Sequence, residues 1–138
     1  MAVQLRDTIR NGRLDAIETV GGTSCSLRIY TGAQPADCTA VNSGTLLAHI
    51  LLPTDWLAAA SGGTKAIAGT WSDASADGGA ASTPGHFRIY NSQATMDGTT
   101  CIVQGSAGIG SGDLNCNGTI TAGQAVTVSA FTFTDANP

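Results

Sequence analysis

At 138 residues the chain is sized for one domain, and with 5% aromatics and half of it Gly, Ala, Ser or Thr its core must be thin. Six Lys and Arg stand against ten Asp and Glu, a formal net charge of −4, which excludes nucleic-acid or anionic-membrane binding of the kind that rests on clustered cations. Only 12% of residues are charged, where a solvated domain ordinarily has about a quarter, so the composition suits a body packed against other protein.

The first element expected is a helix over residues 3–19, in a stretch that holds Arg6, Asp7, Arg10, Arg13, Asp15 and Glu18. At about 100° per residue, Leu5, Ile9, Ala16 and Val20 share one side, while Val3, Leu14 and Ile17 lie further round. Asp7, Asn11, Asp15 and Glu18 make a polar face, and Arg6, Arg10 and Arg13 form a ridge between the apolar patches. The helix therefore has one side for the body and another for a neighbour. Gly12 leaves room for a kink, because Gly costs a helix about 1 kcal/mol relative to Ala, and Gly21-Gly22 ends the element.

After Gly22 the pattern changes to period two. Strands are expected over residues 25–30, over an apolar run at 45–52 that contains His49, over 66–72, 86–90 and 101–104, and in a last region around Val126–Phe133. In that last region Val126, Val128 and Ala130 alternate, but Phe131 and Phe133 fall on the opposite parity, which calls for a bulge near Ala130 or burial on both faces. Residues 54–60 read as one or two helical turns capped by Thr54. Residues 32–44, 73–85 and 105–112 read as turn-rich loops. The outcome is a single domain over residues 1–138, with a helix in residues 1–20 and a body over 23–138. The expected class is mainly β, an antiparallel β-sandwich, jelly-roll-like, with an N-terminal α-helix.

Leu27-Arg28-Ile29-Tyr30 recurs sixty residues later as Phe87-Arg88-Ile89-Tyr90. Alternation buries the Leu/Ile and Phe/Ile pairs and turns both Arg–Tyr pairs outward together. Exposed Arg and Tyr suit an interface, being enriched at binding hot spots; the other reading is two strands of similar register that share a β-favouring tetrapeptide, with Arg stacked on a neighbouring Tyr. The flanking residues do not match, so no duplicated domain is read.

Little in the chain suggests catalysis or a cofactor. Asp73–Gly78 and Asp113–Gly118 resemble the start of a calcium loop, but the position that should bring a bidentate Glu holds Pro84 or Gln124, so both read as Asx-rich turns. The two histidines, His49 and His86, sit in strand contexts without a companion nucleophile, and no hydrolase, zinc-protease or phosphate-loop motif occurs. The chain is expected not to be an enzyme and to need no cofactor or metal. Met1–Asp7 lacks the apolar run of a signal peptide, and the apolar run Leu46–Leu52 is far too short to span a membrane. Cytosolic synthesis then favours free thiols at Cys25, Cys38, Cys101 and Cys116; the spacings of 13 and 15 also admit late-forming disulfides, Cys25 with Cys38 and Cys101 with Cys116.

Met1–Leu5, Arg10–Glu18, Leu51–Trp56 and Gly85–Tyr90 together look like segments of small proteins of tailed bacteriophages and prophages, and the likeness runs over most of the chain. That resemblance implies a place in the virion of a particle made in a bacterial cytoplasm. The role expected is head decoration, similar to other small β-rich phage proteins that cement neighbouring capsid subunits, with the major capsid protein and copies of this chain as partners. Contact residues expected are Arg6, Arg10, Arg13, Arg28, Tyr30, Arg88 and Tyr90. Two other readings stand beside it: a tail, neck or fibre component, and a carbohydrate-binding module that presents Trp56 or Trp71 to a sugar.

Overall fold

A computed structural model describes residues 2–137. The class is the expected one, mainly β with a single helix at the N-terminal side. The helix α1 spans Asp7–Gly21 and runs unbroken through Gly12, with Gly22 closing it by an N–H to the Glu18 carbonyl at 2.8 Å. It starts four residues later than the periodicity implies. Val3 is 81% exposed, so it gains no burial from a longer helix. Both main-chain groups of Leu5 are held by the Asn137 side chain, at 2.8 and 2.9 Å.

The strands are β1 (Ser26–Tyr30), β2 (Leu46–Leu51), β3 (Thr64–Ala66), β4 (Trp71–Asp73), β5 (His86–Tyr90), β6 (Cys101–Ile109), β7 (Leu114–Cys116), β8 (Val126–Val128) and β9 (Thr132–Thr134). The main sheet has the order β2-β1-β5-β6-β7, antiparallel except for the β6–β7 pair. Two antiparallel ribbons, β3–β9 and β4–β8, form a second layer, so the architecture is sandwich-like, while the strand order does not define a jelly roll. Between the layers Leu27, Ile29, Ile50, Phe87 and Ile89 meet Trp56, Trp71, Val128 and Phe131 in one cluster. Its aromatic seam runs from Trp56 to Trp71 (6.1 Å between centroids), on to Phe131 (6.2 Å), and from Phe131 to Phe87 (5.3 Å, edge to face).

Five local expectations change. The strand expected over 66–72 is split, β3 ending at Ala66 and β4 beginning at Trp71, and the Asx-rich turn expected at 113–118 contains strand β7. Residues 56–58 are extended, not helical, because their main-chain groups are taken by residues 66–68: Ala58 N–H bonds to Ala66 O and Ala68 N–H to Trp56 O, both at 2.9 Å. Strand β6 continues past Gly105, where the sequence suggests a loop. Gly105 lies opposite Phe87, and a Cβ there would come within 2.7 Å of the Phe87 ring. The parity break near Ala130 is a change of partner, not a bulge: β8 pairs with β4, the chain crosses over at 129–131 with Phe131 buried, and β9 pairs with β3.

The LRIY/FRIY likeness also proves deeper than a tetrapeptide. Strands β1 and β5 are direct neighbours, paired symmetrically about Arg28 opposite Arg88, and each shows a register shift toward its other partner at the same place, Ile29/Tyr30 and Ile89/Tyr90. Seven residues beyond each Tyr an Asp carboxylate closes the same turn: Asp37 accepts from the Thr39 N–H (2.8 Å) and hydroxyl (2.6 Å), and Asp97 accepts from Thr99 at the same two distances. Two strand–loop–turn units thus face each other across a local twofold.

Candidate functional site

The alternation in β1 and β5 places Arg28, Tyr30, Arg88 and Tyr90 on the sheet face opposite the aromatic core, as their parity requires. That face is not open. Residues 31–45 fold back over it, so Arg88 and Tyr90 are 0% exposed and Tyr30 is 4% exposed. The outward orientation read from the sequence is therefore corrected: main-chain carbonyls, not solvent or a partner, receive the guanidinium. Arg88 donates to Cys38 O (2.6 Å), Ala40 O (3.1 Å) and Asp37 O (3.3 Å), and to Asn42 Oδ1 (2.5 Å). Charge-assisted bonds of this kind are the strong ones. Tyr30 and Tyr90 hydroxyls meet at 3.0 Å, Tyr90 donates to Asn42 Oδ1 (2.9 Å), and the His86 ring stacks on Tyr30 at 5.1 Å. The Gln104 amide closes the row with a bond to Pro35 O (2.8 Å). Arg28 is half-buried between His49 and Arg88 and forms no ion pair among the described residues.

The arginine ridge of α1 divides. Arg6 is exposed. Arg10 is turned inward, donating to the Asp135 carbonyl (2.5 Å) and the Asp7 carboxylate (3.0 Å), and Arg13, with a 60% exposed side chain, pairs with the Asp135 carboxylate at 3.3 Å. The polar face of α1 is the face that docks. Asn11 Oδ1 accepts the Gly63 N–H (2.9 Å) and Asp15 the Ala60 N–H (3.1 Å), while the fully buried Lys65 ammonium reaches Asp15 (2.7 Å) and Glu18 (2.9 Å). Burial alone would lower the Lys65 pKa, but the hydrogen bonds it donates to Asp15 and Glu18 outweigh it and hold it raised. Leu14 and Gly21 are buried on this side, and Gly21 must lack a side chain because a Cβ would stand 2.7 Å from Trp56.

What remains outward on α1 is a stripe at helical spacing, Ile9, Arg13, Ala16 and Val20, with Ile9 53% and Val20 64% exposed. It borders an unpaired strand edge. Among the described residues, strand β7 pairs only with Ala107–Ile109 of β6, and residues 102–105 have no strand beyond them. Arg13, Ala16, Ile17, Val20, Ile102 and Val103 line an apolar groove of about 280 Å³. At Val103 it meets a second cleft of about 480 Å³, floored by Phe131 and Phe133 and edged by Gln104 and Asp113. An open edge beside an apolar groove is the geometry that accepts an added strand or an apolar side chain. The sequence singled out Arg13 here but missed Ile102 and Val103, because only the strand order reveals that their edge is free.

Trp56 and Trp71 are both 0% exposed, so neither offers a face to a sugar. Asp113 spends its carboxylate on the Ser106 N–H (2.9 Å) and hydroxyl (2.8 Å), and Asp73 on the His49 and Ser75 N–H groups (both 2.9 Å), which are turn and edge contacts. Burial, reinforced by Arg28 beside His49 and Arg88 beside His86, lowers the pKa of both histidines. The unfolded chain takes up those protons near pH 6.5. Stability from the neutral imidazoles is therefore fully present above that pH and is lost as the pH falls through the lower folded values. Melting temperature should be flat from pH 8 to about 7 and decline below about 6.5. A His86→Gln variant should lose part of that slope.

No protein-family model matches this chain, and no curated protein or solved structure matches it either.

Proposed function

We propose that this chain is a non-enzymatic structural protein of a tailed-phage virion, a decoration protein that cements the major capsid shell. The observation that carries the reading is the outward stripe of α1 beside the unpaired edge of β6. Ile9, Ala16 and Val20 stand exposed next to Ile102 and Val103, with Arg13 as the one cation among them, on a chain otherwise poor in charge. Such a surface gains from burial against a neighbour, at roughly 25 cal/mol per Å² of apolar area. A shell that repeats a weak contact by symmetry multiplies the gain. The contact set moves accordingly from the Arg–Tyr pairs of the sheet to Arg13 and the apolar residues around it.

The decisive experiment uses the virion whose genome encodes the chain. Particles lacking the protein should lose integrity on heating and in low salt, and reconstruction of the intact particle should show its density on the head, with α1 and the β6 edge against capsid subunits. A Val20→Asp variant should fold with an unchanged melting temperature yet bind decoration-free heads at least about tenfold more weakly, since an interfacial carboxylate costs more than 1.4 kcal/mol to desolvate. Density on the tail or neck, or particles equally stable without the protein, would overturn the decoration role.

A further inference from the structure

The two facing Asp-closed turns bring together cysteines from distant parts of the chain. The turn at 37–40 lies directly on the turn at 97–100: a Cβ on Gly98 would come within 2.2 Å of the Thr39 carbonyl, and the Asn42 amide bonds to Met96 O at 2.8 Å. Arg88 ties both to the sheet, since its guanidinium holds the Cys38 carbonyl at 2.6 Å and lies over the Tyr90 ring at 5.8 Å, and Tyr90 is the strand partner of Cys101. The Cys101 thiol donates to Val103 O at 3.4 Å, and Cys38 and Arg88 are the polar side chains beside it. Both residues are partly exposed, and both are free thiols in this structure. The pairings suggested by sequence spacing, Cys25 with Cys38 and Cys101 with Cys116, are not formed in this structure, where all four thiols are free.

We propose that Cys38 and Cys101 form an intramolecular disulfide on oxidation, clamping the covering segment 31–45 to the turn before β6. With hydrogen peroxide as oxidant, the Cys38 thiolate attacks one peroxide oxygen; an S–O bond forms, the O–O bond breaks and hydroxide leaves as water. The Cys101 sulfur then displaces hydroxide from the Cys38 sulfenic acid, forming the S–S bond, and the hydroxide leaves as water with the Cys101 proton. Two thiols supply two electrons and one peroxide gives two waters. Burial pushes the Cys101 thiol up to about 12, so the second step is slow at neutral pH and faster in alkali. Such a link would be absent in a reducing cytosol and would form once the protein meets an oxidising exterior.

The test is peroxide treatment of the full-length purified chain, followed by unreduced peptide mapping after cleavage at Arg, Lys and Asp, which separates all four cysteines. Expected are a monomer lighter by two hydrogens, a Cys38–Cys101 linked peptide, and a melting temperature higher by about 10 °C that dithiothreitol reverses, as for a disulfide closing a loop of this length. Cys38→Ser and Cys101→Ser should each abolish the link and the shift, and Cys116→Ser should keep both. Over-oxidation of Cys38 without a link, a link from Cys38 to Cys25, or a Cys38–Cys38 dimer would overturn the proposal.

Discussion

Replacing Arg88 by Ala should lower the unfolding free energy by about 4–5 kcal/mol, the largest single effect expected in this chain. Arg88 is fully buried and engages three main-chain carbonyls and the Asn42 side chain, all within residues 37–42. Truncation removes four charge-assisted bonds, leaves carbonyls buried without donors and opens a cavity beside Tyr90. Arg88→Lys should rescue less than half of the loss, because one ammonium cannot reach a fan of acceptors set for a planar guanidinium. Urea denaturation reads the energy. Hydrogen exchange reads the place: amides of residues 37–42 should become unprotected in the Ala variant before those of β1 and β5. A loss under about 1 kcal/mol would mean that the covering segment is held by other contacts.

Trp71→Ala should cost about 3–5 kcal/mol, the range for truncating a large buried aromatic. Its ring sits between Trp56 and Phe131, and its indole N–H donates to Trp56 O and Ala68 O, both at 3.2 Å. Because Trp71 begins β4, its loss should loosen the β4–β8 ribbon from the main sheet. Near-ultraviolet circular dichroism should lose most of its tryptophan signal while the far-ultraviolet strand signal persists. Trp71→Phe keeps most of the apolar volume and loses the donor, so it should cost only about 1–2 kcal/mol. If the Ala and Phe variants were equally stable, the aromatic seam would not be what joins the layers.

The two experiments probe opposite faces of one sheet, and the faces differ in how far they could be read beforehand. On the core side, Leu27, Ile29, Phe87 and Ile89 declare themselves by alternation with apolar side chains. On the other side, Arg28, Tyr30, Arg88 and Tyr90 share a face as predicted, but the sequence gives no sign that it is covered. The covering atoms are carbonyls of residues 32–40, and every residue carries a carbonyl. The sixty-residue spacing was visible for the tetrapeptide; Asp37/Asp97 and Thr39/Thr99 extend it, and the symmetric pairing of Arg28 with Arg88 gives it meaning. The candidate interface was legible in part. Ile9, Ala16 and Val20 fall together at helical spacing, while Ile102 and Val103 join them only through the strand order.

What the sequence alone determined is what local periodicity and punctuation encode: a mainly β chain with one N-terminal helix, the parity of β1 and β5, and the helix end at Gly21-Gly22. What only the tertiary structure decided is which polar faces are turned inward. The carboxylates of α1 dock because the 58–65 segment presents Lys65 and two free main-chain N–H groups, and Arg88 is buried because a distant loop brings carbonyls to it. Both outcomes rest on pairing between groups far apart in the chain. A polar side chain is inward or outward according to whether a partner meets it there, and no local pattern records that partner.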